Sequence, residues 1–533
     1  MTPPPPCLTS KTSILRPLSL LYLVLFPFRA SAFWVLLLAL LAVVAVRLHG
    51  LAHVALPDYD SVRNWQIVRE VAHGDLRNLF HHGSPGFSLV YAPVAWLTAD
   101  YRVFQHLNAL VAVAALLWLV QLVRQELRLA GWEAALLLVF AGTSVFLTFS
   151  GRDFTPGSWS LLLFVGLLRA HYQRLRQPGP AALLRVAVWL AAGLSINYKF
   201  LLTLPILLLL ELLHGGRLLW QPHNLGRVVA VLLTPYVLLG GLGAVGGVPW
   251  YRWEAVYYNL VFPGASNAAS RAGHLRFDGL YYLRFLWDFE SPVLLPVLAA
   301  GLAVLAWRYG RRRQLPSLAL PWYLAVWAGC YLAGMSLLLK APRGLLLAYP
   351  LLYVLAFLLL RQLFGTSKAT GRALLAVVVG FAGLLNLYRV HREIYAYAPT
   401  RYGQVAAWLH QHEARPVRVL STVSLGLAPF LRDADTVAVA MSDAHLRELR
   451  QGRYRYVLLD AAWQVAGAPP FSSLAGQTPV AAWPEPLLVS PLLFLEHSEY
   501  TGLGYAPTLA RQRAARLDSL QLRLYRLPGG IRP

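Results

Sequence analysis

Six ionisable side chains stand where apolar runs end in this 533-residue chain. Asp58 and Asp60 follow the run from Phe33 to Val46; Asp153 lies in the turn SGRDFTPGS, Lys199 in NYKF, and Lys340 and Arg343 in KAPRG. A carboxylate in a partly apolar setting suits proton removal from a hydroxyl, because burial lifts its pKa towards working pH. Ammonium and guanidinium groups suit an anion such as a phosphate. His81 and His82, in HHGSPGF, add imidazoles, so these two with Asp58, Asp60 and Asp153 supply donors for a divalent cation. No pair has a diagnostic ligand spacing, and the metal stays unassigned. Each group also has an ordinary use: Asp60 as the N-cap of an amphipathic helix over Ser61 to His73, and the cations, with Arg152, as side chains snorkelling to headgroups.

The elements that carry these residues are apolar. The chain is 57% hydrophobic and 13% charged with a mean hydropathy of +0.51, which excludes an ordinary soluble enzyme and indicates a polytopic membrane protein. A formal net charge of +23 would suggest nucleic acid in a soluble protein. Here the arginines fall between apolar runs, so the positive-inside rule explains them and no nucleic-acid partner is expected. Cys7 and Cys330 sit in a Pro-rich tail and an apolar run and do not suggest a disulfide framework.

Segments near 31–48, 103–122, 132–149, 157–170, 183–197, 200–214, 228–247, 291–307, 318–339, 344–361 and 372–389 predict about eleven membrane helices. Alternate loops carry Arg124 and Arg128; Arg169, Arg174, Arg176 and Arg185; Arg217 and Arg227; Arg308 with Arg311–Arg313; and Arg361, Lys368 and Arg372. That set places the N-terminus in the cytoplasm and gathers the loops holding the six residues on the outer face. Residues 1–30 read as a basic interfacial lead-in, Arg29 and the next apolar run opposing a cleaved signal peptide. The long loop at 248–290 is rich in Trp and Tyr, as an interfacial belt or a sugar-stacking surface would be, and its Glu254, Asp278, Asp288 and Glu290 could hold acceptor hydroxyls. After residue 390 the pattern changes to short strands at 417–423, 436–441, 454–460 and 520–527 with helix-like QVAAWLHQH and DAHLRELRQ between. The division expected is a membrane domain over 31–390 and a small outer α/β domain over 391–533.

The order D-S-x-x-x-W, A-H-G-D and H-H-G-S-P-G-F resembles the first outer loop of the C-type glycosyltransferases that use polyprenyl-phosphate sugars, the group of protein O-mannosyltransferases and aminoarabinose transferases. Asp60 matches that family's first acid, Ser61 stands where a second acid often occurs, and His82 and Pro85 fall in its turn. SGRDFTPGS resembles the second outer turn, with Asp153 as its acid. NYKF places Lys199 where a lysine commonly occurs. KAPRGLLLAYPLL is similar to the family's Lys/Arg-Tyr-Leu-Leu-Pro segment, with Gly344 in place of the usual aromatic.

The resemblance implies an all-α membrane domain of the C-type fold and transfer of a sugar from a polyprenyl-phosphate donor to a lipid, glycan or protein acceptor, with inversion. Compact loops and an arginine-rich composition incline the reading to a bacterial inner-membrane protein with a periplasmic site, where a eukaryotic chain would face the endoplasmic reticulum lumen, and no cofactor is certain. Asp60, then Asp153, is the expected base; Lys199, Arg343 and Lys340 are expected on the phosphate, with Asp58 and His82 beside the substrate. A polysaccharide polymerase or ligase, a flippase or transporter, and a non-catalytic scaffold are the rival readings. Ionisable residues collected at helix ends argue against a transport path through the bundle.

Overall fold

Apolar segments in lipid must satisfy their own backbone, so they form helices. The computed structural model describes residues 30–56, 59–81, 83–248, 277–312, 318–338, 340–413, 416–451, 454–517 and 520–527. Asp58, His82, most of the aromatic loop with Glu254, and the lead-in before residue 30 lie outside these.

The membrane domain runs through α1 (Ala30–Leu48), α2 (Tyr59–Ala72), α3 (Gly86–Leu97), α4 (Tyr101–Leu127), α5 (Gly131–Gly142) and α6 (Val145–Gly151). It continues through α7 (Gly157–Arg176), α8 (Pro180–Ile196), α9 (Leu204–Leu210), α10 (Pro222–Val245) and α11 (Tyr281–Asp288). Helices α12 (Leu294–Arg312), α13 (Leu320–Leu337), α14 (Tyr349–Phe364) and α15 (Ala369–Glu393) complete it. Each expected span falls on helix, but the count of eleven does not hold as a count of full-length spans. Among the described residues six helices are long and apolar enough to cross a membrane, or seven if the bent pair α5–α6 counts as one. Helices α8 and α14 have only 17 and 16 residues, short of the roughly 20 that span a hydrocarbon core. The chain is an integral membrane protein, mostly helical.

The α5–α6 pair bends by 70°. A break frees backbone N–H groups that lipid cannot satisfy. Glu290 meets them: buried in the bundle, its carboxylate accepts from Phe146 N at 2.7 Å, Val145 N at 3.2 Å, Ser144 Oγ at 3.2 Å and Tyr353 Oη at 2.6 Å. Glu290 is therefore a helix cap inside the protein and not a group that could hold an acceptor. Asp288 accepts from Tyr505 Oη at 2.7 Å, and it too is engaged.

The C-terminal part begins with α16 (Tyr402–His412) and contains β1 (Arg418–Thr422), β2 (Thr436–Ala440), α17 (Asp443–Leu449), β3 (Tyr456–Asp460), α18 (Ala462–Ala466) and β4 (Ala481–Pro484). It ends with α19 (Pro491–Glu496), α20 (Ser498–Thr501), α21 (Tyr505–Leu517) and β5 (Gln521–Arg526). The five strands are ordered β2-β1-β3-β5-β4, with β1 parallel to β2 and β3, and β5 antiparallel to β3 and β4. Strand β4, with only Ala481, Ala482, Trp483 and Pro484, has no legible run in the sequence.

The apolar face of the amphipathic α2 is covered by protein. Its stripe of Val62, Trp65 and Val68 is buried with Phe87, Tyr91 and Phe104 of the bundle on one side and Leu425 of the C-terminal domain on the other. The helix starts at Tyr59, so Asp60 lies in its first turn and is not the residue that caps it. Two backbone-linked bonds add to this junction: Ala55 N to Thr400 Oγ1 at 2.9 Å and Thr400 N to His53 O at 3.1 Å.

Two buried acids lie at the base of the C-terminal domain. Glu485 accepts from Arg401 N at 2.6 Å and Leu487 N at 3.2 Å, and Asp460 accepts from Tyr402 Oη at 2.9 Å. Burial pushes Glu485 up to about 8 and Asp460 up to about 6. The folded chain then holds protons that the unfolded chain has released, so stability is highest below about pH 4 for these groups and declines as pH rises towards about 8. The unfolding midpoint of this domain, followed from pH 5 to 8.5, should fall, and Glu485→Gln should flatten the upper part of that fall; an unchanged slope in the variant would remove Glu485 as its source.

Candidate active site

Four elements converge at the end of the bundle where the C-terminal domain docks. Asp60 comes from the first turn of α2 and Asp153 from the turn between α6 and α7. Lys199 comes from the 3₁₀ turn Tyr198–Thr203 after α8, and Arg343 from the 3₁₀ turn Pro342–Leu345 before α14.

The Asp153 turn is held by amides from neighbouring helices. Asn108 donates to Asp153 O at 2.6 Å and Thr155 O at 3.1 Å, Gln105 to Arg152 O at 3.3 Å, and Asn64 to Phe154 O at 3.2 Å. Asp153 Oδ1 accepts from Ser61 Oγ at 2.5 Å and from Phe154 N at 2.7 Å. The second expected base thus ties α2, at the residue next to Asp60, to the α6–α7 turn. Arg152 turns away from it, donating to Arg47 O at 3.1 Å and His49 O at 2.7 Å, where it closes the end of α1.

Lys199 is placed by Asn197, which accepts from Lys199 N at 3.0 Å while donating to Ser160 Oγ of α7 at 2.9 Å. Half-buried, Lys199 is within electrostatic reach of Glu499, Arg343, Glu496 and Asp60. Arg343 is the centre of this group, with 18% of its side chain exposed. Its backbone N donates to Glu496 Oε1 at 2.9 Å and its Nη2 donates to Glu499 and, at 2.9 Å, to Tyr500 Oη. Tyr500 Oη in turn donates to Asp60 Oδ2 at 3.2 Å, and the Tyr500 ring lies 5.4 Å from the Arg343 guanidinium carbon. Burial works to lower the Arg343 pKa, but Glu499, Tyr500 and Glu496 overcome it and hold the guanidinium well above its usual range. Burial pushes the Glu496 carboxyl up, with Arg343 opposing it.

Lys340 does not join this group through its ammonium, whose Nζ donates to Leu338 O at 2.7 Å; burial lowers its pKa, with Asp278 opposing. Its carbonyl instead accepts from Ser498 Oγ at 2.5 Å. Gly344 has a packing reason: a Cβ there would lie 2.6 Å from both Tyr282 Oη and Met335 Cε. Tyr282 fills that space and donates to Ala341 O at 3.2 Å, fixing the turn that carries Arg343. Among the described residues no group of three His, Cys, Asp or Glu side chains is arranged to hold a metal ion.

Glu496, Glu499 and Tyr500 are not legible in the sequence as site residues. They lie in the C-terminal domain, in short helices without a motif, and only charge complementarity to the basic loops could have pointed to them.

Asp153→Ala removes the carboxylate that accepts from the Ser61 hydroxyl and Phe154 N–H and should cost about 1–3 kcal/mol of stability. Thermal unfolding in detergent reads this; an unchanged midpoint would mean that Asp153 does not brace the turn.

No protein-family model matches the chain, and comparison with curated proteins finds no match. Solved structures do match. ArnT from Cupriavidus metallidurans bound to undecaprenyl phosphate superimposes with a TM-score of 0.53 at 15% identity, covering 80% of this chain and 89% of that one. The same protein in the apo state gives 0.53 and 15%, covering 85% and 96%. The archaeal oligosaccharyltransferase AglB from Archaeoglobus fulgidus, in complex with an inhibitory peptide and a dolichol-phosphate, gives 0.54 and 11%, covering 82% and 70%. The fold of this chain is accordingly the C-type glycosyltransferase fold.

Proposed function

We propose that the protein is a membrane glycosyltransferase that moves a sugar from a polyprenyl-phosphate carrier to an acceptor hydroxyl, with Asp60 as general base and Arg343 and Lys199 as the phosphate seat. The observation that carries this reading is the gathering of Asp60, Lys199 and Arg343 at one end of an apolar bundle, from segments far apart in the chain. ArnT with undecaprenyl phosphate and AglB with a dolichol-phosphate, on the same fold, support a donor of this class.

A lipid-anchored donor presents its phosphate and sugar at the membrane surface, so the site must lie at a bundle end. The acceptor oxygen attacks the anomeric carbon as Asp60 removes its proton, and the bond from that carbon to the phosphate oxygen breaks with its electron pair on the phosphate. The polyprenyl phosphate is a stable anion and needs no acid; Arg343 and Lys199 stabilise the charge gathering there. Attack opposite the leaving phosphate inverts the anomeric centre. Arg343 can meet two phosphate oxygens with its planar fork, which Lys199 cannot, so the two cations divide the work into orientation and charge. The arginine-rich alternate loops support a cytoplasmic N-terminus and a site on the outer face, which in a bacterial inner membrane is the periplasmic one.

Transfer of labelled sugar from a polyprenyl-phosphate monosaccharide in proteoliposomes tests the assignment. Asp60→Asn should lower kcat by about 10²–10⁴-fold while carrier binding persists. Arg343→Ala should lower kcat by about 10²–10³-fold and weaken carrier binding as well. Full transfer by Asp60→Asn would remove it as the base, and absence of transfer by the unaltered chain from any such donor would sink the reading.

A further inference from the structure

We infer that the short helix α20 with Gly502 is an acidic flap: Glu499 holds the phosphate seat of Arg343 and Lys199 while Tyr500 holds Asp60, so the donor must displace the flap to bind. This rests on the function proposed above.

Chemical equivalence comes first. A carboxylate and a phosphate take the same planar fork of a guanidinium, so Glu499 and a carrier phosphate compete for one set of donors. In the structure one arm of that fork is occupied: Arg343 Nη2 is shared by Glu499 and Tyr500. The balance of charge agrees: among the described residues Glu499, Glu496 and Asp60 act on Lys199, and Glu499 and Glu496 act on Arg343. A further anion could not join that set without repulsion from Glu499, whereas exchange of the Glu499 carboxylate for the singly charged phosphodiester of a donor keeps the charge unaltered.

The mechanical division is also visible. Helix α19 is anchored from both sides, with Leu492 and Leu495 in the bundle core and Leu493 and Phe494 in the core of the C-terminal domain. Glu496, at its end, is therefore fixed. Helix α20 has only four residues, of which Ser498 alone is buried, and it leaves through Gly502 at φ 69°, a left-handed conformation that glycine adopts freely. Glu499 and Tyr500 both lie on this piece, so one displacement frees the phosphate seat and the base together. Tyr500 Oη bridges Arg343 at 2.9 Å and Asp60 at 3.2 Å, so a phosphate that claims the arginine also removes one of the bonds holding the tyrosine on the aspartate.

The test uses the full chain in lipid nanodiscs with farnesyl phosphate, a short polyprenyl monophosphate, as probe. Glu499→Gln keeps the size and polarity of the side chain but removes the competing charge, and it should bind the probe about tenfold more tightly than the unaltered protein. In the unaltered protein, amide hydrogen exchange across residues 498–504 should rise when the probe is added, a readout that needs no variant. Equal or weaker binding by Glu499→Gln, or exchange that stays level or falls, overturns the flap. Binding that is lost in Arg343→Ala yet indifferent to Glu499→Gln overturns the flap alone and leaves the donor site standing. Absence of probe binding by both the unaltered protein and Glu499→Gln overturns the donor site and the flap together.

Discussion

A guanidinium at the end of an apolar bundle must have anions close by, because desolvating it costs several kcal/mol that only paired charge offsets. Arg343 finds them in Glu496 and Glu499, which come from the other domain. That requirement joins the two parts of the protein at the candidate site. A guanidinium stripped of both carboxylates would be left buried and unmatched, so an anion is needed there, from the protein or from a ligand. Tyr500 extends the cluster to Asp60, and Ser61 extends it through Asp153 to the turn between α6 and α7.

The same logic operates deeper in the bundle. The break between α5 and α6 aims the chain at the Asp153 turn, and it is tolerable only because Glu290 accepts the freed N–H groups. Asn386 supports the same knot by donating to Thr143 Oγ1 at 3.2 Å and Tyr353 Oη at 3.4 Å. Glu290 and Asn386 thus serve the backbone of a bent helix, while Asp60, Lys199 and Arg343 lie at or beyond helix ends.

Uninterrupted apolar runs locate the helices, since a backbone in lipid has no other regular solution, and alternating segments of the last third locate four of five strands. Lys199 and Arg343 are legible in the sequence because a charge excluded from lipid marks a helix end. The length of the spans is not: α8 and α14 are apolar but short, and neighbours decide how a short helix is seated. The apolar stripe of α2 is legible too, but not what covers it; lipid and the Leu425 loop of the C-terminal domain both match an apolar stripe.

The sequence by itself determined a membrane helix bundle with acids and bases at its ends and a small sheet-containing appendage, because burial of apolar groups and exclusion of charge are local rules that composition obeys. The tertiary structure alone decided which ends meet. Tyr500 and Asp60 are 440 residues apart in the chain, and no periodicity or spacing encodes a contact at that separation. Their pairing depends on how two domains pack, and packing follows from the complementarity of whole surfaces and not from any single run of residues.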